Sequence, residues 1–231
     1  MRLAALAIVA ACGLQAGLAE SPLPEAKPAF VPEIAREAAG EGNAAFAAGD
    51  YKRAVRAYRK VLELAPDNLV GLVNLGVAEF ASGNPREAEA VLKKAVQQRI
   101  DTAPAWLTLG ILYMDEGRLD EAHAALAQAI LHDPRNARAR NYMGVVIGRK
   151  GWLDGAQSEL RQAVEIDPYY SDAHFNLAFF YLERKPPLTE LARRHYHISL
   201  DLGAARDQEI EQRLKEQSSA NTTPAPETTK P

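Results

Sequence analysis

Disulfides and a basic surplus are both missing from this chain. Its 231 residues include one cysteine, Cys12, so no disulfide can form within the chain. Lys and Arg number 27 against 30 Asp and Glu, which gives a formal net charge of -3. A protein that neutralises a phosphate backbone needs an excess of cations. Nucleic acid is therefore not an expected partner, and the fold depends on the packing of the 47% of residues that are apolar.

Recognisable catalytic and ligand-binding motifs are missing as well. No glycine-rich phosphate loop follows a strand pattern, and no serine has a recognisable nucleophile context. His195 and His197 are two residues apart, which on a helix directs their side chains about 200° from each other, so they cannot share a metal ion. We expect surface positions for all five histidines: His123, His132, His174, His195 and His197. The sequence predicts a protein without catalytic activity, cofactor or metal.

A long uncharged run opens the chain. After Met1 and Arg2, residues 3–19 carry no charged side chain, and Gly17 and Ala19 are small residues of the kind that signal peptidase accepts. The pattern resembles a secretory signal peptide over residues 1–19, cleaved after Ala19. It predicts an exported protein of the periplasm or extracellular space, whose mature chain has no thiol and no membrane span.

A lipid anchor is the alternative to simple cleavage. The stretch Val9-Ala10-Ala11-Cys12-Gly13 resembles a bacterial lipobox, in which the cysteine is acylated and becomes the first residue. Against this, the apolar run before Cys12 is short and the residues after it stay apolar. The soluble exported form is favoured, and an outer-membrane lipoprotein is the alternative.

Two segments have the composition of unstructured chain. Residues 20–33 contain Pro22, Pro24, Pro28 and Pro32, which prevent a regular helix and favour an extended spacer. Residues 218–231 have almost no apolar side chain to bury, so we expect a disordered tail there.

Between these ends the sequence repeats. Pro66, Pro134 and Pro168 are separated by 68 and 34 residues, and small and aromatic residues before each proline recur in step. A fixed period of this length indicates an array of helical repeats. The clearest unit contains Trp106, Leu109, Gly110, Tyr113, Gly117, Ala122, Leu126, Ala129 and Pro134. At these spacings the unit closely resembles a tetratricopeptide repeat (TPR).

The resemblance extends over residues 34–203 and implies an all-α fold. The expected architecture is a right-handed α-solenoid of about five helix-turn-helix units. The predicted units are residues 35–68, 69–102, 103–136, 137–170 and 171–203. Residues 204–217 should form a capping helix, with Ile210 and Leu214 on its apolar face.

Small residues mark the turns and contacts within the predicted units. A glycine can take a positive φ at a helix end, and four glycines stand at such turns: Gly49, Gly83, Gly117 and Gly151. In the third unit we expect Gly110 to face Ala122, so that the two helices approach closely.

The resemblance also implies a binding surface. TPR proteins bind other proteins in a groove that the first helix of each unit lines. In this chain the pattern gives the partner-binding residues Asn43, Phe46, Asn74, Val77, Phe80, Ile111, Met114, Asn141, Val145, Phe175 and Phe179. Because most of these side chains are apolar, we expect them to exceed what packing requires and to leave an exposed apolar groove.

The chemistry of this groove differs from that of the TPR clamp for chaperone carboxylates. The two asparagine positions of that clamp correspond to Asn43 and Asn74, but its cationic positions correspond to Ala39, Pro104 and Thr108. Without cations to neutralise a carboxylate, an amphipathic helix or an extended apolar peptide is the better ligand.

The sequence therefore predicts a non-catalytic adaptor in the cell envelope that binds a protein or peptide of unknown identity. The alternative is a TPR component of an outer-membrane or pilus assembly machine, anchored by lipid at Cys12.

Overall fold

The computed structural model describes residues 33–220, with side chains up to residue 216. The predicted signal segment with Cys12, the spacer up to Pro32, and tail residues 221–231 lie outside the described residues. Within residues 33–220 the chain forms eleven helices and no strand. The predicted all-α class is confirmed.

The helices alternate between first and second members of hairpins. The first helices are α1 (Glu33–Ala47), α3 (Leu69–Ala81), α5 (Ala103–Asp115), α7 (Ala137–Arg149) and α9 (Ser171–Leu182). The second helices are α2 (Tyr51–Leu64), α4 (Pro85–Gln98), α6 (Leu119–His132), α8 (Leu153–Ile166) and α10 (Thr189–Asp201). The starts of α3, α5, α7 and α9 follow one another at intervals of 34 residues. The helical repeat read from the sequence is therefore present in the structure.

The chain divides into two compact units, Met1–Tyr142 and Met143–Pro231. In the first unit α1 packs on α2, α3 on α4 and α5 on α6; the first of these hairpins contacts the second, and the second contacts the third. In the second unit α9 packs on α8 and α10. The last helix, α11 (Gln208–Ala220), contacts α10.

The turns between paired helices use glycine for its backbone freedom. Gly49, Gly83, Gly117 and Gly151 have φ values of 75°, 86°, 75° and 89°. A side chain in this left-handed region would be strained, which explains a glycine at the same place in four consecutive turns. The predicted positive φ is confirmed at all four.

Large apolar side chains of the second helices lie on glycines of the first helices. A Cβ on Gly110 would be 2.6 Å from Cγ of Leu126, and one on Gly76 would be 2.5 Å from Cγ of Leu92. Leu126, one helical turn beyond Ala122 on α6, supplies the atoms nearest to Gly110. Ala122 is nevertheless completely buried. The glycines let a leucine fill the space between two closely packed helices.

The C-terminal helix packs through the two residues expected on its apolar face. Ile210 and Leu214 are both buried. Arg213 extends back toward the end of α9, where its guanidinium donates to the Glu183 carboxylate and to the Leu182 carbonyl, each at 2.7 Å. The helix begins four residues after the start of the predicted segment 204–217 and ends three residues after its end.

Candidate functional site

The predicted binding residues of the first helices divide into a buried group and an accessible group. The buried group, with no member more than 6% exposed, is Val77, Ile111, Met114, Asn141 and Val145. These side chains belong to the interior of the protein and present almost no surface to a partner.

The buried group corrects the expectation of a continuous exposed apolar groove. Sequence spacing marks the apolar positions of a helix, but a first helix in a repeat array packs both on its own hairpin partner and on the neighbouring hairpin. α5 illustrates this, because it contacts α3, α4 and α6. Ten of its thirteen residues are buried, so most positions of α5 serve packing.

Four accessible members lie in the first unit: Asn43 is exposed, and Phe46, Asn74 and Phe80 are partly buried. Asn43 accepts a 2.7 Å hydrogen bond from the Tyr58 hydroxyl, which joins α1 to α2. Burial raises the pKa of Tyr58 to about 12, so this hydroxyl stays protonated as a donor at neutral pH. Phe46 packs against Tyr51 with ring centroids 5.2 Å apart.

Two further accessible members, Phe175 and Phe179, lie on α9 in the second unit and are partly buried. The Phe175 ring lies 6.3 Å from Tyr196 of α10, and the Phe179 ring meets Phe180 edge to face at 5.2 Å. Each ring therefore combines internal contacts with some exposed surface.

An open cavity lies among α1, α2 and α3, at the start of the array. We call it the first-repeat cavity; its volume is about 180 Å³. It is lined by Ala35, Arg36, Ala39, Tyr58, Val61, Asn68, Val70, Gly71 and Asn74. The lining is mostly apolar, and amide groups of two asparagines lie at its edge. Of the predicted binding residues, Asn74 is the one that lines this cavity.

The strongest charge cluster of the first unit has a structural role. The Arg118 guanidinium lies 4.2 Å from the centroid of the Tyr113 ring and bonds Glu89, Glu116 and Glu121. Hydrogen bonds from Arg118 and then Lys93 lower the pKa of Glu89 to about 2. Because Glu89 belongs to α4 and Arg118 precedes α6, the cluster ties two hairpins together.

A histidine pair joins α9 to α10. Nδ1 of His174 lies 2.9 Å from Nδ1 of His195, and Nε2 of His174 lies 3.1 Å from the Pro168 carbonyl. The carbonyl can only accept, so His174 carries its proton on Nε2 and His195 donates from Nδ1. Burial lowers the pKa of both rings, that of His195 to about 4. The expected surface position is wrong for His174, which is 6% exposed.

Residues 33–220 contain neither a candidate metal-binding group nor a candidate membrane-spanning helix. No three His, Cys, Asp or Glu side chains among them are grouped so that they could hold a metal ion. None of their helices has the length and apolar character that a membrane crossing requires.

Comparison with known proteins defines the class of this chain. The family model for the C-terminal domain of cilia and flagella-associated protein 70, a TPR domain, matches residues 2–168. The chain belongs to this TPR family. No curated protein matches its sequence.

Solved structures share the fold. A crystal structure of MamA is 25% identical with a TM-score of 0.61, and the match covers 84% of this chain and 97% of MamA. PilF from Pseudomonas aeruginosa is 18% identical with a TM-score of 0.72, over 82% of this chain and 86% of PilF. TTC0263, a thermophilic TPR protein from Thermus thermophilus, is 21% identical with a TM-score of 0.62, over 80% of this chain and 99% of TTC0263. The fold is that of a protein-interaction scaffold.

The first-repeat cavity was not predicted from the sequence, although a signal for it exists. Each later repeat has a residue equivalent to Ala39, at successive intervals of 34 positions: Val73, Leu107, Asn141 and Phe175. All four are larger than alanine. A comparison of residue volume between equivalent positions would have shown space in the first unit.

Proposed function

We propose that this protein is a non-catalytic adaptor that is exported to the cell envelope and binds a partner peptide or helix along its first helices. The observation that carries the proposal is the group of accessible aromatic and amide side chains on α1 and α3 in the first unit. Aromatic side chains supply most of the energy of many interfaces, and amides bind the backbone of an extended peptide.

Asn74 is the most informative member of this group. Its side chain makes no hydrogen bond to a described residue and lines the first-repeat cavity. An amide that does not contribute a bond to the fold can bond a ligand without weakening the protein. Phe46 and Phe80 lie on the same two helices, α1 and α3, so a ligand at Asn74 has aromatic rings to pack against in the same unit.

The partner-binding proposal is tested by photocrosslinking in the native host. A benzophenone amino acid replaces Phe80 in one variant and Lys60, an exposed residue of the second helix α2, in the matched control. A specific protein adduct should form from position 80 and be absent from position 60. Adducts of equal yield from both positions, or none from position 80, would contradict binding along the first helices.

The identified partner then allows a measurement of affinity. Asn74→Ala should weaken binding about fivefold, equivalent to about 1 kcal/mol, with an unchanged melting temperature. Lys60→Ala should change neither quantity. If Asn74→Ala binds as tightly as the wild type, the amide has no role in recognition.

Location is tested by the mass of the mature protein. For the exported soluble form, intact mass spectrometry should give a chain that begins at Glu20 and is extracted without detergent. A chain that begins at an acylated Cys12 and requires detergent would instead support the alternative, a lipid-anchored TPR component of an outer-membrane or pilus assembly machine.

A further inference from the structure

The first-repeat cavity lies beside an unusually small residue. Ala39 stands where later repeats have Val73, Leu107, Asn141 and Phe175. The later side chains are buried or partly buried. The space that they occupy in their own repeats is therefore left open between α1 and α3 in the first repeat, where no preceding hairpin of the described chain closes it.

The cavity leaves apolar surface and an amide unused. Val70 is 48% exposed although it is a large apolar residue on a first helix. The side-chain carbonyl of Asn68 accepts a 2.7 Å hydrogen bond from the Gly71 backbone amide, whereas the Asn74 side chain makes no hydrogen bond to a described residue. The site thus combines an apolar depression with an amide at its edge, which suits an apolar side chain and the peptide backbone beside it.

The chain itself carries such a group a few residues before α1. The residues before α1 are Pro28-Ala29-Phe30-Val31-Pro32, and they join the helix at Glu33. Three of the cavity residues, Ala35, Arg36 and Ala39, lie on the first two turns of the same helix. The centre of that wall is about 6 Å along the helix from Glu33. Three extended residues span about 10 Å, so Phe30 can reach it by folding back.

We propose that Phe30 and its neighbours fold onto the first-repeat cavity, with the Phe30 ring inside it and Asn74 facing the backbone. The volume is sufficient, because a cavity of about 150 Å³ holds a benzene ring and this one measures about 180 Å³. Two prolines restrict the segment before it binds, which reduces the entropy that ordering costs.

This arrangement makes the cavity an intramolecular binding site. An external peptide would reach the amide of Asn74 only after it displaced the segment, whereas Phe80 would stay available. The proposal does not depend on the partner-binding proposal, since its tests need no partner.

The first test is a crosslink within the chain. A benzophenone amino acid at position 30 of the full chain should, on illumination, give a monomeric adduct to a peptide within residues 58–74. Mass spectrometry of the digest locates it. An adduct that joins two copies would show that a second chain is the occupant, and an absence of adducts within residues 58–74 would equally overturn the proposal.

The second test measures accessibility. In a Cys12→Ser background, Val70→Cys provides the sole thiol, and its maleimide labelling rate is compared with and without Phe30→Ser. The substitution should raise the rate about tenfold, with Phe30→Leu between the two. Ile100→Cys is the control and should not respond, because Ile100 is 63% exposed in the wild type and does not line the cavity. Equal rates at position 70 with and without Phe30 would refute the assignment.

Discussion

The same substitution, glycine to alanine, should have opposite effects at Gly110 and Gly40. A Cβ on Gly110 would lie 2.6 Å from Cγ of Leu126 and 3.3 Å from the Leu126 backbone nitrogen. Leu126 is completely buried, so its side chain has no free volume to enter, and α6 itself must move. Gly40 lies on α1, and a Cβ there would meet nothing within 4 Å.

Two opposing terms set the magnitudes. Alanine stabilises a helix by about 1 kcal/mol relative to glycine, and this term acts at both positions. Overpacking costs about 1–3 kcal/mol and acts at Gly110 alone. Gly110→Ala should therefore lower the free energy of unfolding by about 1 kcal/mol, while Gly40→Ala should raise it by about 0.5–1 kcal/mol.

Urea unfolding followed by far-UV circular dichroism measures both changes against the wild type. Gly40→Ala serves as the matched control, because it contains the helix term without the contact. If Gly110→Ala were as stabilising as Gly40→Ala, α5 and α6 would not be in close contact at this point. The register of the third hairpin would then be wrong.

Three further predictions follow from burial and pKa. Ala122→Leu should cost about 1–3 kcal/mol by overpacking, and an unchanged melting temperature would contradict the complete burial of Ala122. Met114→Ser should cost about 2–5 kcal/mol and Phe80→Ser less, because Met114 is buried and Phe80 is partly exposed; equal losses in urea unfolding would contradict this difference. Burial lowers the pKa of His174 and His195 in the folded state, that of His195 to about 4. An unperturbed histidine has a pKa of about 6.5, so below this pH the unfolded state binds more protons than the folded state. Stability should thus fall by about 1–2 kcal/mol, after a discount for partial exposure, as the pH drops from about 6.5 to 4, and a variant with phenylalanine at both positions should lose this part of the pH dependence.

The local structure of the repeats could be predicted from the sequence, because the physical requirement at each turn is specific. A helix that must reverse direction within a few residues needs a backbone with positive φ, and glycine meets that need at Gly83 and Gly117 without strain. The period of 34 residues then places the helix starts at Leu69 and Ala103. Both features depend on residues close in sequence.

The binding surface was harder to predict, since burial depends on neighbours that are distant in sequence. Val77 and Phe80 stand three residues apart on α3 and share its apolar character, yet Val77 is buried and Phe80 retains exposed surface. Their difference arises from which side of α3 the adjacent helices cover. Helix periodicity places both residues on one face, but it cannot say how far each is covered.

The burial of polar residues such as histidine is equally hard to predict from the sequence. His174 was expected at the surface because histidine is polar, but its two ring nitrogens face His195 and the Pro168 carbonyl. Burial of a polar ring is acceptable when both nitrogens have partners. Those partners come from α10 and from the turn before α9, so the spacing of residues on α9 alone could not reveal them.

Differences between repeats hold information that the shared pattern hides. The shared residues identify a TPR array and say little about what it binds, because they are the residues that pack. Ala39 departs from that pattern in volume, and Asn74 is an amide that lines the resulting cavity and has no bond to a described residue. A site in a repeat protein is better sought where one repeat fails to fill the space that its neighbours fill, since packing density in protein interiors leaves few such voids by chance.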